Sequence, residues 1–144
     1  MKSINPYINF PGNTEEAFNF YKKVFGGDFM GGINRFKDTP DADKLNKSDQ
    51  EKVMHIALPI GSNVLMATDA LPSMGFNITF GNNFYLSIEA DSKEEADILF
   101  NALSEGGKKE MPMGDQFWGA YFGMVTDKFK VNWMINYTYP KENQ

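Results

Sequence analysis

Two stretches of this chain follow one plan, and that repetition limits what it can fold into. Residues 13–27, "NTEEAFNFYKKVFGG", and residues 92–107, "SKEEADILFNALSEGG", each open with a capping residue and close on a glycine pair. Asn13 with Glu16, and Ser92 with Glu95, have the three-residue spacing of a capping box. Ala17, Tyr21, Val24 and Phe25 make an apolar stripe bordered by Phe18 in the first stretch; Ala96, Leu99, Phe100 and Leu103 make one in the second. Gly26-Gly27 and Gly106-Gly107 supply positive φ after the last turn. The spacing therefore predicts two helices of similar length.

The flanks repeat as well. "INPYINF" (4–10) and "NNFYLSIEA" (82–90) read as strands leading into the helices. Strand patterns at 27–36, 52–60 and 63–70 follow the first helix, the last two joined tightly at Gly61-Ser62. Patterns at 108–116, 118–126 and 131–139 follow the second, with a turn around Asp127. The expected fold class is α+β, built from two βαβββ modules: 1–70, a linker at 71–81, and 82–144, packed as one compact domain. Gly31-Gly32 falls within an expected strand. Residues 37–51, "KDTPDADKLNKSDQE", read as a solvated loop, and the linker alternates Met74, Phe76, Ile78 and Phe80.

Charge and composition exclude several functions. Fourteen Lys and Arg against nineteen Asp and Glu give a net charge of −5, which would repel a phosphate backbone, so nucleic acid is not an expected partner. With no cysteine there is no disulfide, thiolate metal site or Cys nucleophile. No segment has the roughly 18 apolar residues of a spanning helix and none reads as a signal peptide, so no membrane association and a cytoplasmic location are expected. Thirteen Phe, six Tyr and nine Met suit a strand-rich core and would equally suit an apolar ligand cavity.

The paired modules and their wording resemble the vicinal oxygen chelate superfamily (glyoxalase, bleomycin resistance protein, dioxygenase), and within it the PhnB-like branch. The residues that carry the resemblance are "FPGNTEEAFNFYKKVFGG" (10–27), "MHIAL" (54–58), "LMATDA" (65–70), "DSKEEADILFNALSEGG" (91–107) and "FWGAYFGMVTDKF…WMIN" (117–136). The resemblance implies curved mixed sheets facing a central small-molecule cavity, and a homodimer. At Asp127-Lys128-Phe129-Lys130 the chain departs from the Asp-Pro-Phe-Gly usual in that branch, so Lys130 must tolerate a positive φ.

In metal-dependent relatives, His and Glu ligands stand on the first and last strand of each module. The positions that match here hold Asn5, Tyr7 or Asn9, then Met66, Asn83 and Trp133, a poor set for a divalent ion. No metal or other cofactor is expected. The single histidine, His55, and Asp69 are the candidate catalytic groups. Tyr7, Asn9, His55, Tyr85, Ser87, Gln116, Trp118, Tyr121, Trp133 and Asn136 are candidates to line a ligand site, although alternation along the strands leaves open which sheet face looks inward.

Three functions compete: a pocket protein that binds a small apolar or aromatic molecule without a tightly held metal; a lyase, isomerase or dioxygenase-type enzyme using a metal or His55 and Asp69; and a dimeric scaffold without a ligand. The branch also carries a ubiquinone-pathway methyltransferase label and a link with phosphonate use. The methyltransferase label gains nothing from this sequence, which has no glycine-rich loop between a strand and a helix.

Overall fold

A computed structural model describes residues 1–141. The chain divides into two compact units, Met1–Thr79 and Phe80–Gln144, of which residues 142–144 lie outside the described residues.

In the first unit, β1 (Tyr7–Phe10) leads into α1 (Thr14–Phe25), followed by a two-residue β2 (Asn34–Arg35), a one-turn α2 (Lys47–Gln50), β3 (Val53–Ile60) and β4 (Asn63–Asp69). The sheet order is β1-β4-β3-β2, with β1 parallel to β4 and the other neighbours antiparallel. Register determines which side chains share a face. Ile8, Ala67 and Ile56 form one row and Leu65 lies opposite Leu58. Ile56, Leu58, Leu65 and Ala67 are buried with Ala17, Phe18 and Tyr21 of α1. Phe10 meets Phe18 edge to face, with ring centroids 6.5 Å apart. This is the helix-covered face, and the apolar stripe of α1 gives the burial that stabilises it.

The second unit repeats the order: β5 (Leu86–Glu89), α3 (Lys93–Ser104), β6 (Lys108–Gln116), β7 (Ala120–Thr126) and β8 (Asn132–Thr138), in sheet order β5-β8-β7-β6 with β5 parallel to β8. Trp133, Ile135 and Val125 are buried with Ala96, Phe100 and Leu103. Gly123 makes room for the helix, since a Cβ there would lie 3.0 Å from the Phe100 ring and 2.6 Å from Met113 Sδ.

Three local expectations are corrected. Most of the strand expected at 27–36 is turn, with pairing limited to Asn34–Arg35. Gly26, Gly27, Gly31 and Gly32 all take positive φ, between 70° and 82°, which an extended strand does not allow. Gly31-Gly32 therefore does not lie inside a strand. Within the loop at 37–51, residues 36–38 and 42–44 form single 3₁₀ turns and 47–50 form α2, capped by Asn46 accepting from Asp49 N. At α1 the Asn13 side chain makes no cap hydrogen bond; Asp69 supplies the acceptor instead. The second box forms in part: Ser92 accepts from Glu95 N at 3.0 Å, while Glu95 reaches one residue further back and accepts from Asp91 N at 2.9 Å instead of Ser92 N. Lys130 has φ 72°, the one positive φ at a non-glycine residue among the described residues.

Candidate functional site

Each sheet has a second face, opposite its helix. In the first unit, Tyr7 lies in register with Met66, which pairs with Ala57, and Asn9 lies in register with Thr68. One antiparallel step from the Ile56–Ala67 pair puts His55 opposite Thr68, and Asn34 pairs with His55 on the other side. This open face thus gathers Tyr7, Asn9, Asn34, His55, Ala57, Met66 and Thr68, all uncharged apart from the titratable imidazole. Tyr7 reaches diagonally across β4, so that its hydroxyl lies 3.0 Å from His55 Nδ1 with ring centroids 5.7 Å apart. Partial burial pushes the Tyr7 phenol pKa up. Tyr7, Asn9 and His55, chosen separately from sequence, are brought together here.

In the second unit, Ser87 is in register with Met134, Met134 with Met124, and Met124 with Met111. The next row holds Glu89, Asn136 and Phe122. Asn136 Nδ2 donates to Glu89 at 2.6 Å, and Thr138 N donates to the other carboxylate oxygen at 2.9 Å. Against the desolvation that raises it, these bonds hold the Glu89 pKa below its ordinary value. Tyr85 donates to Glu110 at 2.6 Å, and Thr126 donates to the same carboxylate at 2.7 Å. The Tyr85 bond is the main reason the Glu110 carboxyl is held low. Trp118, half-exposed in the β6–β7 turn, stacks edge-on against Phe122 at 5.7 Å, and Gln116 folds back to donate to Gly114 O at 3.2 Å. Tyr85, Ser87 and Asn136 therefore belong to the open face, and Gln116 and Trp118 to its hairpin end.

Two expected lining residues do not. Trp133 lies on the α3 side, 2% exposed, and its indole N–H donates to the buried Asp127 carboxylate at 2.9 Å. The same carboxylate accepts from Phe129 N and Val131 N at 2.7 and 3.1 Å, so Trp133 is held in the core by the turn that precedes its strand. Tyr121, also on the helix side, donates to Asp97 of α3 at 2.6 Å beneath the Lys93 ammonium, 4.7 Å from its ring centre. The Asp97 bond pushes its pKa up to about 12.

Asp69 is likewise committed. It is 2% exposed, accepting Thr14 N at 3.0 Å through one oxygen and Val53 N at 2.8 Å through the other. It ties the first turn of α1 to the start of β3, work that leaves neither oxygen available as a general base. A cleft of about 720 Å³ is lined by Asp69 together with Glu15, Arg35, Lys37, Glu51 and Lys52, of which Arg35 pairs with Glu15 and Lys37 with Glu51. Arg35 grips Glu15 with bonds of 2.8 and 3.0 Å, which lowers the Glu15 pKa; Lys52 donates to Gly12 O at 3.0 Å. The chemistry-bearing side chains of the open faces lie elsewhere.

The ligand positions implied by the family can now be tested. Asn83 lies outside β5, Trp133 points to the helix, and Asn5 accepts from Val64 N at 2.9 Å. The register sets Met134 against Ser87 as it sets Met66 against Tyr7, so both parallel strand pairs hold a thioether at matching open-face positions. Among the described residues no three His, Asp or Glu side chains gather into a metal-binding group. These donors do not fit a hard divalent ion. Sequence reasoning placed Met66 but missed Met111, Phe122, Met124 and Met134; alternation from Trp133 separates Met134 from it but does not say which of the two faces the helix.

Residues 2–136 match the profile of the family described as 3-demethylubiquinone-9 3-methyltransferase. The chain is 30% identical over 141 residues to Protein YjdN of Escherichia coli K12, covering 92% of this chain and 93% of that protein. Its fold superposes on protein PA1353 of Pseudomonas aeruginosa with a TM-score of 0.83 at 40% identity, covering 96% and 98% of the two chains. A Bacillus cereus PhnB protein superposes with 0.76 at 26% identity, covering 95% and 100%. A glyoxalase/bleomycin resistance protein/dioxygenase family enzyme of Burkholderia phytofirmans, 18% identical, superposes with 0.64 over 92% and 97% and shares the fold.

Proposed function

We propose, from the premise that this chain belongs to the PhnB-like family described as 3-demethylubiquinone-9 3-methyltransferase and has the glyoxalase/bleomycin resistance fold, that it binds a small apolar or aromatic molecule on its open sheet faces without a tightly held metal. The observation that carries this reading is the matched thioether pair, Met66 and Met134. Thioethers adapt to apolar and aromatic surfaces and bind hard divalent cations poorly. In the second unit Met124, Phe122 and Trp118 extend the soft surface around Met134, with Ser87 and Asn136 as its polar groups, and in the first unit Tyr7, Asn9 and His55 are the few polar groups beside Met66 that would orient a ligand.

Methyl transfer is not part of the proposal. The connections that open the two helices are Phe10-Pro11-Gly12-Asn13 and Ala90-Asp91-Ser92, too poor in glycine for a loop that cradles a nucleotide-type cofactor. We also propose a homodimer in solution, which light scattering at micromolar concentration tests; a monomer mass removes it. The binding reading is tested by screening small aromatic compounds by thermal shift and by fluorescence of the half-exposed Trp118. A compound that raises the midpoint in the intact chain and loses about 1–3 kcal/mol of affinity on Phe122→Ala supports it. Compounds bound equally by Phe122→Ala and by Met66→Ala place the ligand off both open faces.

A further inference from the structure

The Tyr7–His55 pair specifies more than a contact. A phenol is the stronger proton donor and an imidazole nitrogen the stronger acceptor, with ordinary pKa values of about 10 and 6.5. At 3.0 Å the favoured arrangement is therefore the Tyr7 hydroxyl donating to His55 Nδ1. Burial that raises the Tyr7 pKa keeps the phenol protonated for this role. An imidazole that accepts at Nδ1 carries its proton on Nε2, and Tyr7 is its one hydrogen-bond partner among the described residues. Around it the open face offers Ala57 and Met66 as apolar floor and the neutral side chains of Asn9, Asn34 and Thr68.

Resting on the binding reading above, we propose that Tyr7 is a positioning residue that locks His55 as the Nε2–H tautomer, so that the open face of the first sheet presents a fixed N–H donor and selects small apolar molecules bearing a carbonyl or carboxylate acceptor over those bearing a cationic or donor group. The phenol sets the polarity of the imidazole, and the imidazole sets that of the ligand.

The chain has a single histidine, so ¹⁵N-detected imidazole spectra of the intact labelled protein are unambiguous. At mildly alkaline pH the native protein should show a protonated Nε2 and an unprotonated Nδ1, and Tyr7→Phe should move both resonances toward the averaged values of free imidazole. Benzoate should then perturb the Nε2 resonance and bind Tyr7→Phe about two- to tenfold more weakly, the range for one lost hydrogen bond, while benzylamine leaves Nε2 unmoved. A native Nδ1–H tautomer, a spectrum unchanged by Tyr7→Phe, or equal responses to the two probes overturns the proposal. Methyl shifts of Met66, Ala57, Met124 and Met134 separate this from the reading beneath it: methyl perturbation without a His55 response sinks the donor and spares the binding reading, whereas silence of all four methyls with benzoate, benzylamine and toluene sinks both.

Discussion

Replacing Asp69 by Asn changes no volume and removes one acceptor. The carboxylate now serves two buried backbone donors, Thr14 N at 3.0 Å and Val53 N at 2.8 Å. An Asn side chain can satisfy one of them through its carbonyl oxygen, which leaves its own NH₂ facing the other N–H. A hydrogen bond to a charged acceptor is worth about 1.5–3 kcal/mol, and a buried donor left unpaired costs about 1–3. The expected loss for Asp69→Asn is thus about 2–3 kcal/mol. At about 4 °C per kcal/mol for a chain of this size, the thermal midpoint should fall by about 8–12 °C. Urea titration followed by circular dichroism gives the same quantity isothermally, with the slope m unchanged if the compactness of both states is preserved. Asp69→Ala should cost more, since both donors are then orphaned. A variant within about 0.5 kcal/mol of the native protein, the scale of neutral surface changes, would refute the clamp; were it also to abolish ligand binding, Asp69 would belong in the site.

Three further outcomes follow from the geometry. Lys130→Gly should stabilise by up to about 1 kcal/mol, because φ 72° costs an L side chain about 1–2 kcal/mol and glycine's greater unfolded-state freedom returns part of that; a lower urea midpoint would contradict it. Gly123→Ala should destabilise by about 1–3 kcal/mol, since the new methyl meets Phe100, Met113 and the Met111 carbonyl, and an unchanged midpoint would mean that α3 can move aside. In alkaline titration at 295 nm one phenol should titrate near pH 12 and vanish in Tyr121→Phe. Because the folded pKa is raised, that bond contributes stability below about pH 10, the unfolded value, which is lost as pH rises through about 12.

The repeat was legible because helices and strands advertise themselves by period: the stripe of α1, the box at Ser92 and the strands at 52–60 and 63–70 lie within a residue or two of where the sequence puts them. The run from Gly26 to Gly32 was not, since interspersed Phe29, Met30 and Ile33 imitate a strand while positive φ at four glycines makes a turn. The site was half legible. Period two groups Tyr7 with Asn9 and separates Trp133 from Met134, but the face that meets the helix is decided by partners distant in sequence. Asp127, six residues before Trp133, captures the indole N–H and turns that face inward. Asp69 follows the same logic: its two bonds reach 55 and 16 residues along the chain, beyond any local pattern, so a clamp read as a possible base. The Tyr7–His55 bond spans 48 residues and was equally invisible as a bond, though both residues stood among the candidates.

Whether the ligand surface is soft and metal-poor can be read from elemental mass spectrometry of the purified protein before and after incubation with Zn²⁺, Ni²⁺, Mn²⁺ and Fe²⁺, followed by desalting. The thioethers at Met66 and Met134 predict far less than one retained metal per chain under every condition. One equivalent that survives desalting and is lost in His55→Ala would contradict the account and place a metal-dependent reaction on the open face of the first sheet.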